Sequence, residues 1–406
     1  MTTQFEPQPP DVWHESAKNI DEGYRFPLYT EEFAADPHRS YAEMRRRHGS
    51  LVPVELCPGV PATLVIGYRT AVRIANDPGH FPADPRTWQK DIPAECPVLP
   101  MMEYRPNALR SAGAEHRRFR RASVDSMAEV NLYRVQDEIE EIATPLIDAF
   151  RHDGHADLLR QYAFPVTFAY VNRMVGSPAH IGQDVAQGMA MMFEGDRAAE
   201  GGLLFQTALG NLVDLKREHP GDDVASRLIA HGAELTREEL VHQLVTIYGA
   251  GIEPKVNLIS NTLLLMLSNE RFYGHAGLTT ADALNELLFK DPPLANFGIT
   301  YPPQPINVEG VWLPAHQPVV ISMAACNNDP DVVGEFTHNR SHLAWGTGPH
   351  ACPARDIVYL VAQNAIDYLF DELPNLRLDP AVELQWRPGF VHRSLAQLPV
   401  VFNPHG

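Results

Sequence analysis

The sequence predicts a mainly α fold with a few small β-sheets, organised as a single domain over residues 1–406. Three observations predict it. Apolar residues recur at helical spacing, as at Val135, Ile139, Ile142, Leu146 and Phe150, with acidic residues between them. One helix-type stretch runs from Arg237 to Leu267, about 45 Å long at roughly 1.5 Å per residue, which is enough to cross a domain. The strand-like runs are short and are cut off by glycine and proline turns. No Gly/Ser-rich linker, charge block, internal repeat or low-complexity tract divides the chain.

In chain order, residues 1–24 read as an irregular, proline-bearing N-terminal segment. A helix is expected over Pro37–His48, then strands at Leu51–Val54 and Thr63–Ile66. A basic helical segment follows Gly113. Further helices are expected over Arg160–Val175, Gly188–Phe193, Leu203–Arg217, Arg237–Leu267 and Thr280–Phe289. Strands at Ile306–Val308 and Val319–Ser322 precede a last helix near Ile357–Leu373.

Composition narrows the function. The net charge of −18 argues against nucleic acid as a partner. No apolar run reaches the ~18 residues that a membrane helix needs, and residues 1–24 hold no apolar signal region. Cys57, Cys96, Cys326 and Cys352 are widely scattered, with no Cys-x-x-Cys pair of the zinc or dithiol type. Free thiols in a reducing cytoplasm are the expectation.

The most telling segment is Trp345-Gly-Thr-Gly-Pro-His350-Ala-Cys352-Pro-Ala354. Gly346 and Gly348 allow a tight turn and a close approach to a flat ligand. Cys352 lies just ahead of a helical stretch, where the helix N-terminus favours a thiolate. His350 can reach an anionic group beside that sulfur. A second cluster, His116-Arg117-Arg118-Phe119-Arg120-Arg121, opposes the acidic background, and His116 and Arg120 share one helix face at i, i+4. Alone, a cysteine in such a loop reads as a buried small hydrophobe, and a basic helix as a solvated face.

Together these residues resemble the cytochrome P450 family, whose haem loop reads Phe-Gly-x-Gly-x-His/Arg-x-Cys-x-Gly. Four of the six defined positions match; Trp345 stands for the aromatic and Ala354 for the last glycine. The resemblance runs in order from about Pro37 to Phe402, and its soluble bacterial class fits a chain without an anchor. It implies haem b (iron protoporphyrin IX) with Cys352 as the axial thiolate and metal ligand, a donor suited to O–O cleavage. It places His116 and Arg120 on the haem propionates, and it adds His350, Trp345, Gly346, Thr300 and His342 to the cofactor-binding set. Arg117, Arg118 and Arg121 would line a proximal surface for an acidic ferredoxin, itself reduced by NAD(P)H through a ferredoxin reductase.

The same resemblance exposes three departures. Where the family has Ala-Gly-x-acid-Thr on its distal helix, this chain has Ala250-Gly251-Ile252-Glu253-Pro254. The hydroxyl that relays protons is replaced by a helix-breaking proline, which is expected to keep a kink, free the Ala250 carbonyl and leave Glu253 as the substitute acid. The family's Glu-x-x-Arg survives only as Glu286, with Phe289 at the arginine position. Lys290, His338, Arg340 or His342 would then have to reach Glu286, or its carboxyl be protonated. Thr300 stands where a strand arginine usually meets a propionate, and Phe336 and Arg340 are what remains of a shortened segment.

The leading reading is a haem-thiolate oxygenase acting on a small hydrophobic or aromatic secondary metabolite by hydroxylation, epoxidation or oxidative coupling, with O2 and ferredoxin electrons. Trp88, Ile247, Phe297, Ile299, Phe390 and Val391 would form a mostly apolar substrate pocket, although each alone reads equally as core packing. Ala250, Gly251, Glu253 and Pro254 make the catalytic set. The alternatives are a peroxide-driven peroxygenase and a haem-binding or interaction protein that has lost turnover.

Overall fold

The computed structural model describes residues 18–20, 23–193, 197–272, 278–332 and 339–404. Helices dominate it, and the longest, Arg237–Ser268, runs through the main core with Leu244, Tyr248, Ile252, Val256 and Ile259 buried. It starts on a capping box: Thr236 accepts from Glu239 N–H while the Glu239 side chain returns to the Thr236 N–H. Around it pack Phe164–Val175, Ala198–Glu218, Thr280–Lys290 and Arg355–Glu372. The Val135–Asp148 helix buries Val135, Ile139 and Ile142 of the predicted stripe, and Phe150 is buried just beyond it, but Ile147 is buried where Leu146 was expected and Leu146 is only partly so.

The largest sheet has five strands in the order Phe26–Pro27, Leu51–Glu55, Pro61–Val65, Val319–Ser322 and Asn296–Thr300. Leu51–Glu55 and Pro61–Val65 form its antiparallel hairpin, Val319–Ser322 joins in parallel, and Asn296–Thr300 pairs antiparallel with a register shift between Asn296 and Gly298. Two three-stranded sheets complete the set: Lys18–Asn19 with Val311–Leu313 and Ile306–Val308, and Arg377–Leu378 with Pro399–Val401 and His155–Asp157. The expectation of an irregular segment up to residue 24 needs correction, because Lys18–Asn19 pairs in parallel with Val311–Trp312.

The helix expected at Gly188–Phe193 extends back to Ala179, and the one at Leu203–Arg217 runs over Ala198–Glu218. Arg160–Val175 is a π-helical turn, Leu159–Ala163, leading into Phe164–Val175. Proline did not break the long helix, which is helical throughout Arg237–Ser268 with Pro254 inside it.

Candidate active site

Three segments meet to make the site. The first is the cysteine loop. Gly346 N–H donates to Leu343 O at 2.7 Å, Ala351 N–H to Gly348 O at 3.1 Å and Cys352 N–H to Trp345 O at 2.7 Å. Gly346 and Gly348 both take positive φ, +68° and +72°. A Cβ at Gly348 would lie 2.2 Å from the Ala75 carbonyl oxygen, so only glycine fits between this loop and the Tyr68–Ala75 helix. Trp345 is half-buried against the main core and anchors the loop's start.

The sulfur stands just ahead of the Arg355–Glu372 helix, as expected. Burial pushes the Cys352 thiol up, against the opposing pull of the Ala354 N–H and of Arg120, Lys255 and Arg355. A cation bound to the sulfur would favour the thiolate over the thiol.

The second segment is the middle of the long helix. Gly249 and Ala250 are exposed although Tyr248 and Ile252 beside them are buried. A Cβ at Gly249 would meet nothing within 4 Å, and one at Gly251 would meet only Val171 Cγ2 at 3.9 Å. An accessible stretch of small residues halfway along a core helix is a cradle for a flat group. One turn on, Lys255 is 2 % exposed, with Nζ 5.2 Å from the Tyr170 ring centroid. Burial pushes its amine down to about 8, opposed by the Cys352 sulfur.

The third segment carries the basic cluster on the Gly113–Ala128 helix. His116 and His350 stack with ring centroids 4.0 Å apart, and His116 Nε2 is buried with no hydrogen-bond partner. Arg120 donates to the Ala351 carbonyl, tying this helix to the cysteine loop. Arg110, just upstream, is 3 % exposed. Burial, His116, Arg120 and Arg110 push His350 down to about 3, and burial with Arg120 and Arg117 lowers His116. Among the described residues no carboxylate acts on any of these four groups. A buried guanidinium, Arg110, and a half-buried one, Arg120, beside two imidazoles whose charging is disfavoured make a site short of negative charge.

Several other residues fall elsewhere than expected. Glu253 is bound by Arg387 and accepts from Ser394 Oγ at 3.3 Å, so it is an ion-paired carboxylate on an unbroken helix instead of a free relay acid. Glu286 is ionised: Arg271 Nη2 reaches it at 2.9 and 3.2 Å and Lys290 Nζ at 2.7 Å. Burial opposes that ionisation, but the two cations prevail and its carboxyl is held below the usual range. The protonated alternative is thereby overturned, and Arg271, which sequence reasoning missed, joins Lys290. His342 is not a partner of Glu286; it packs edge-on to Phe289 with centroids 5.1 Å apart, and its Nδ1 is buried without a partner. Arg340 is exposed, while Phe336 and His338 lie outside the described residues. The Thr300 hydroxyl donates to its sheet neighbour, Val319 O, at 3.5 Å. Arg118 is bound to Glu239, Arg121 lies 3.5 Å from Asp125 in an exposed pair, and Arg117 is exposed.

Trp88, Ile299, Phe390 and Val391 are buried in one apolar cluster, with Phe297 packed against it; Ile247 packs against the main core instead. The N–H groups of Ala295 and Asn296 donate to Val391 O at 2.8 and 3.3 Å, which joins the C-terminal turn to the edge strand.

The residues present fit a flat macrocycle that carries a metal and carboxylates: one sulfur donor, a small-residue surface on the long helix, and Arg110 and Arg120 without a carboxylate among the described residues, beside an orphaned His116 nitrogen. A set of this kind suits haem-thiolate oxidation chemistry. No family model matches the sequence. The chain is nevertheless 29% identical over 396 residues to the cytochrome P450 monooxygenase PikC of Streptomyces venezuelae, across 91% of this chain and 92% of that one. It is 27% identical over 394 residues to 2-hydroxy-5-methyl-1-naphthoate 7-hydroxylase of Streptomyces carzinostaticus, across 90% and 95%. The fold superposes on CYP154C4 of Streptomyces sp. ATCC 11861 with a TM-score of 0.85 at 25% identity, covering 95% of this chain and 100% of that one. The chain is thus similar along nearly its whole length to cytochrome P450 monooxygenases, while Phe289 and Pro254 stand where that family's pattern has the Glu-x-x-Arg arginine and the distal threonine. Among the described residues no helix is long and apolar enough to cross a membrane.

Proposed function

We propose that the protein oxidises a small hydrophobic or aromatic secondary metabolite, using O2 and electrons delivered by a ferredoxin. The observation that carries the reading is the placement of Cys352 in a glycine-shaped loop beside the Arg110, His116, Arg120 and His350 cluster. When bound, haem b supplies the oxygen chemistry, with Cys352 as the donor to iron and His116, Arg120 and His350 toward its carboxylates. The small surface at Gly249–Gly251 leaves room for both oxygen and substrate. The apolar wall of Trp88, Phe297, Ile299, Phe390 and Val391 selects an apolar substrate and excludes water. A relative that hydroxylates a naphthoate supports an aromatic one.

One observation favours peroxide as a second oxidant. Pro254 offers no hydroxyl and Glu253 is tied to Arg387, so the protein's own proton delivery is weak. Peroxide already carries the protons and electrons that this route would otherwise supply.

The test is the spectrum of the reduced, haem-loaded protein under carbon monoxide. A red-shifted Soret band that Cys352→Ser abolishes is the expected result. A blue-shifted band that Cys352→Ser leaves unchanged, or no haem at all, would sink the thiolate assignment and leave a protein without turnover.

A further inference from the structure

We propose that Arg110 binds one haem carboxylate, supplying from the loop before the Gly113–Ala128 helix the positive charge that the Asn296–Thr300 strand lacks at Thr300. The inference rests on the haem reading above.

Arg110 is placed too firmly to be an incidental surface cation. Asn107 Oδ1 accepts from the N–H groups of Leu109 and Arg110, both at 3.0 Å, and Ser111 Oγ donates to Asn107 O at 2.6 Å. Gln243, on the long helix and 1 % exposed, donates to Pro106 O at 3.0 Å, so the loop is fastened to the element that crosses the site. The guanidinium is fixed in turn. Its Nε and Nη2 donate to Met101 O at 3.2 and 2.8 Å, and Cζ lies 5.1 Å from the Phe297 ring centroid. Phe297 belongs to the same strand as Thr300, so the charge lies against the strand that has none of its own.

Among the described residues no carboxylate answers this charge. The acidic group that acts on Arg110 is the Tyr301 phenol, and Tyr301 Oη is itself buried with no hydrogen-bond partner. A guanidinium out of water without an anion is strongly unfavourable, and so is an orphaned buried hydroxyl. One ligand carboxylate would satisfy both, while His116 Nε2, the other orphan, stands on the His350 side of the cluster. Thr300 cannot take this part, because its hydroxyl is turned to Val319 O and carries no charge.

The test is the rate at which reconstituted protein gives up its cofactor to excess apomyoglobin, for the parent, Arg110→Ala and Arg110→Ala/Thr300→Arg. Each is loaded with haem b and, separately, with its dimethyl ester, whose side chains carry no charge. Arg110→Ala should lose haem b about tenfold faster, the scale of one charge-assisted hydrogen bond. Thr300→Arg in the same chain should restore most of the retention. With the diester, parent and Arg110→Ala should release at equal rates. Parent-like retention of haem b in Arg110→Ala would overturn the proposal. So would an equal penalty with the diester, which would mean that Arg110 acts by packing. If Arg110→Ala does not fold, Arg110→Met keeps the buried stem and is read in the same way. A parent chain that takes up no haem fails the underlying reading instead, and shows it before any variant is compared.

Discussion

Lys255 is the residue at which sequence and environment disagree most. A primary amine normally stays in water, yet this one is 2 % exposed on the long helix, and its neighbours are the Tyr170 ring and the Cys352 sulfur. Burial lowers its pKa from 10.5 to about 8. The folded chain therefore binds fewer protons than the unfolded chain between those values, so stability should rise with pH across about 8 to 10.5. Below pH 8 the full penalty applies. Lys255→Met should thus raise the stability of the haem-free chain at pH 7 by on the order of 3 kcal/mol and remove the alkaline rise. Urea midpoints at pH 7, 9 and 10.5 check this; a variant less stable than the parent at pH 7 would mean that the ammonium has a partner worth more than its desolvation. The contrast with Cys352 shows what was legible at this scale. The Cys352 loop could be read because its glycines, imidazole and thiol are consecutive. Lys255 could not, since its position on the helix does not reveal which neighbours close over it. The same holds for Arg271 on Glu286, 15 residues away, and for Arg387 on Glu253, 134 residues away, because only the fold brings those charges together.

Among the elements, the Arg237–Ser268 helix tests how far a local rule carries. A proline at position 254 cannot donate to the Ala250 carbonyl and crowds it, at a cost of about 3 kcal/mol in an ordinary helix. The helix nevertheless continues through it, as its apolar period predicts, because residues on either side are held by the core: Tyr248 and Ile252 before the proline, Val256 and Ile259 after it. Tertiary burial outweighs one missing hydrogen bond. Pro254→Thr should return the bond and add the missing hydroxyl in one step. The expected outcome is a melting point several degrees higher, from a gain of about 1–3 kcal/mol, together with more product formed per NAD(P)H consumed. Calorimetry and product-to-NAD(P)H ratios measure the two parts separately. A lower melting point would show that the surrounding side chains are shaped to the proline. Elements with a long apolar period were legible in sequence, such as Val135–Asp148. The two-residue strands Lys18–Asn19 and Arg377–Leu378 were not, because so short a run has no period and exists only through its pairing.

At the scale of the molecule, charge is segregated. The chain carries a net −18, yet Arg110 is buried and Arg120 half-buried beside two imidazoles, with no carboxylate among them in the described residues. The sequence showed the basic run of residues 116–121 but not that the fold would split it. Arg118 goes to Glu239, Arg121 lies beside Asp125, and Arg120 turns inward to the cysteine loop. A fold arranged in this way is incomplete without an anion, so cofactor binding and stability should be coupled. Ligand present at a thousandfold over its Kd stabilises by about 4 kcal/mol. The haem-loaded protein should therefore melt well above the haem-free chain. The iron and carboxylate contributions separate chemically, because iron-free protoporphyrin IX keeps both carboxylates and cannot bond to sulfur. It should recover part of the shift in the parent and the same part in Cys352→Ser, since the cation cluster does not depend on the thiol. Haem b should stabilise the parent further, and Cys352→Ser much less. If iron-free protoporphyrin left the melting point unmoved, the buried cations would not be the carboxylate end of this site, and the charge imbalance would need another anion.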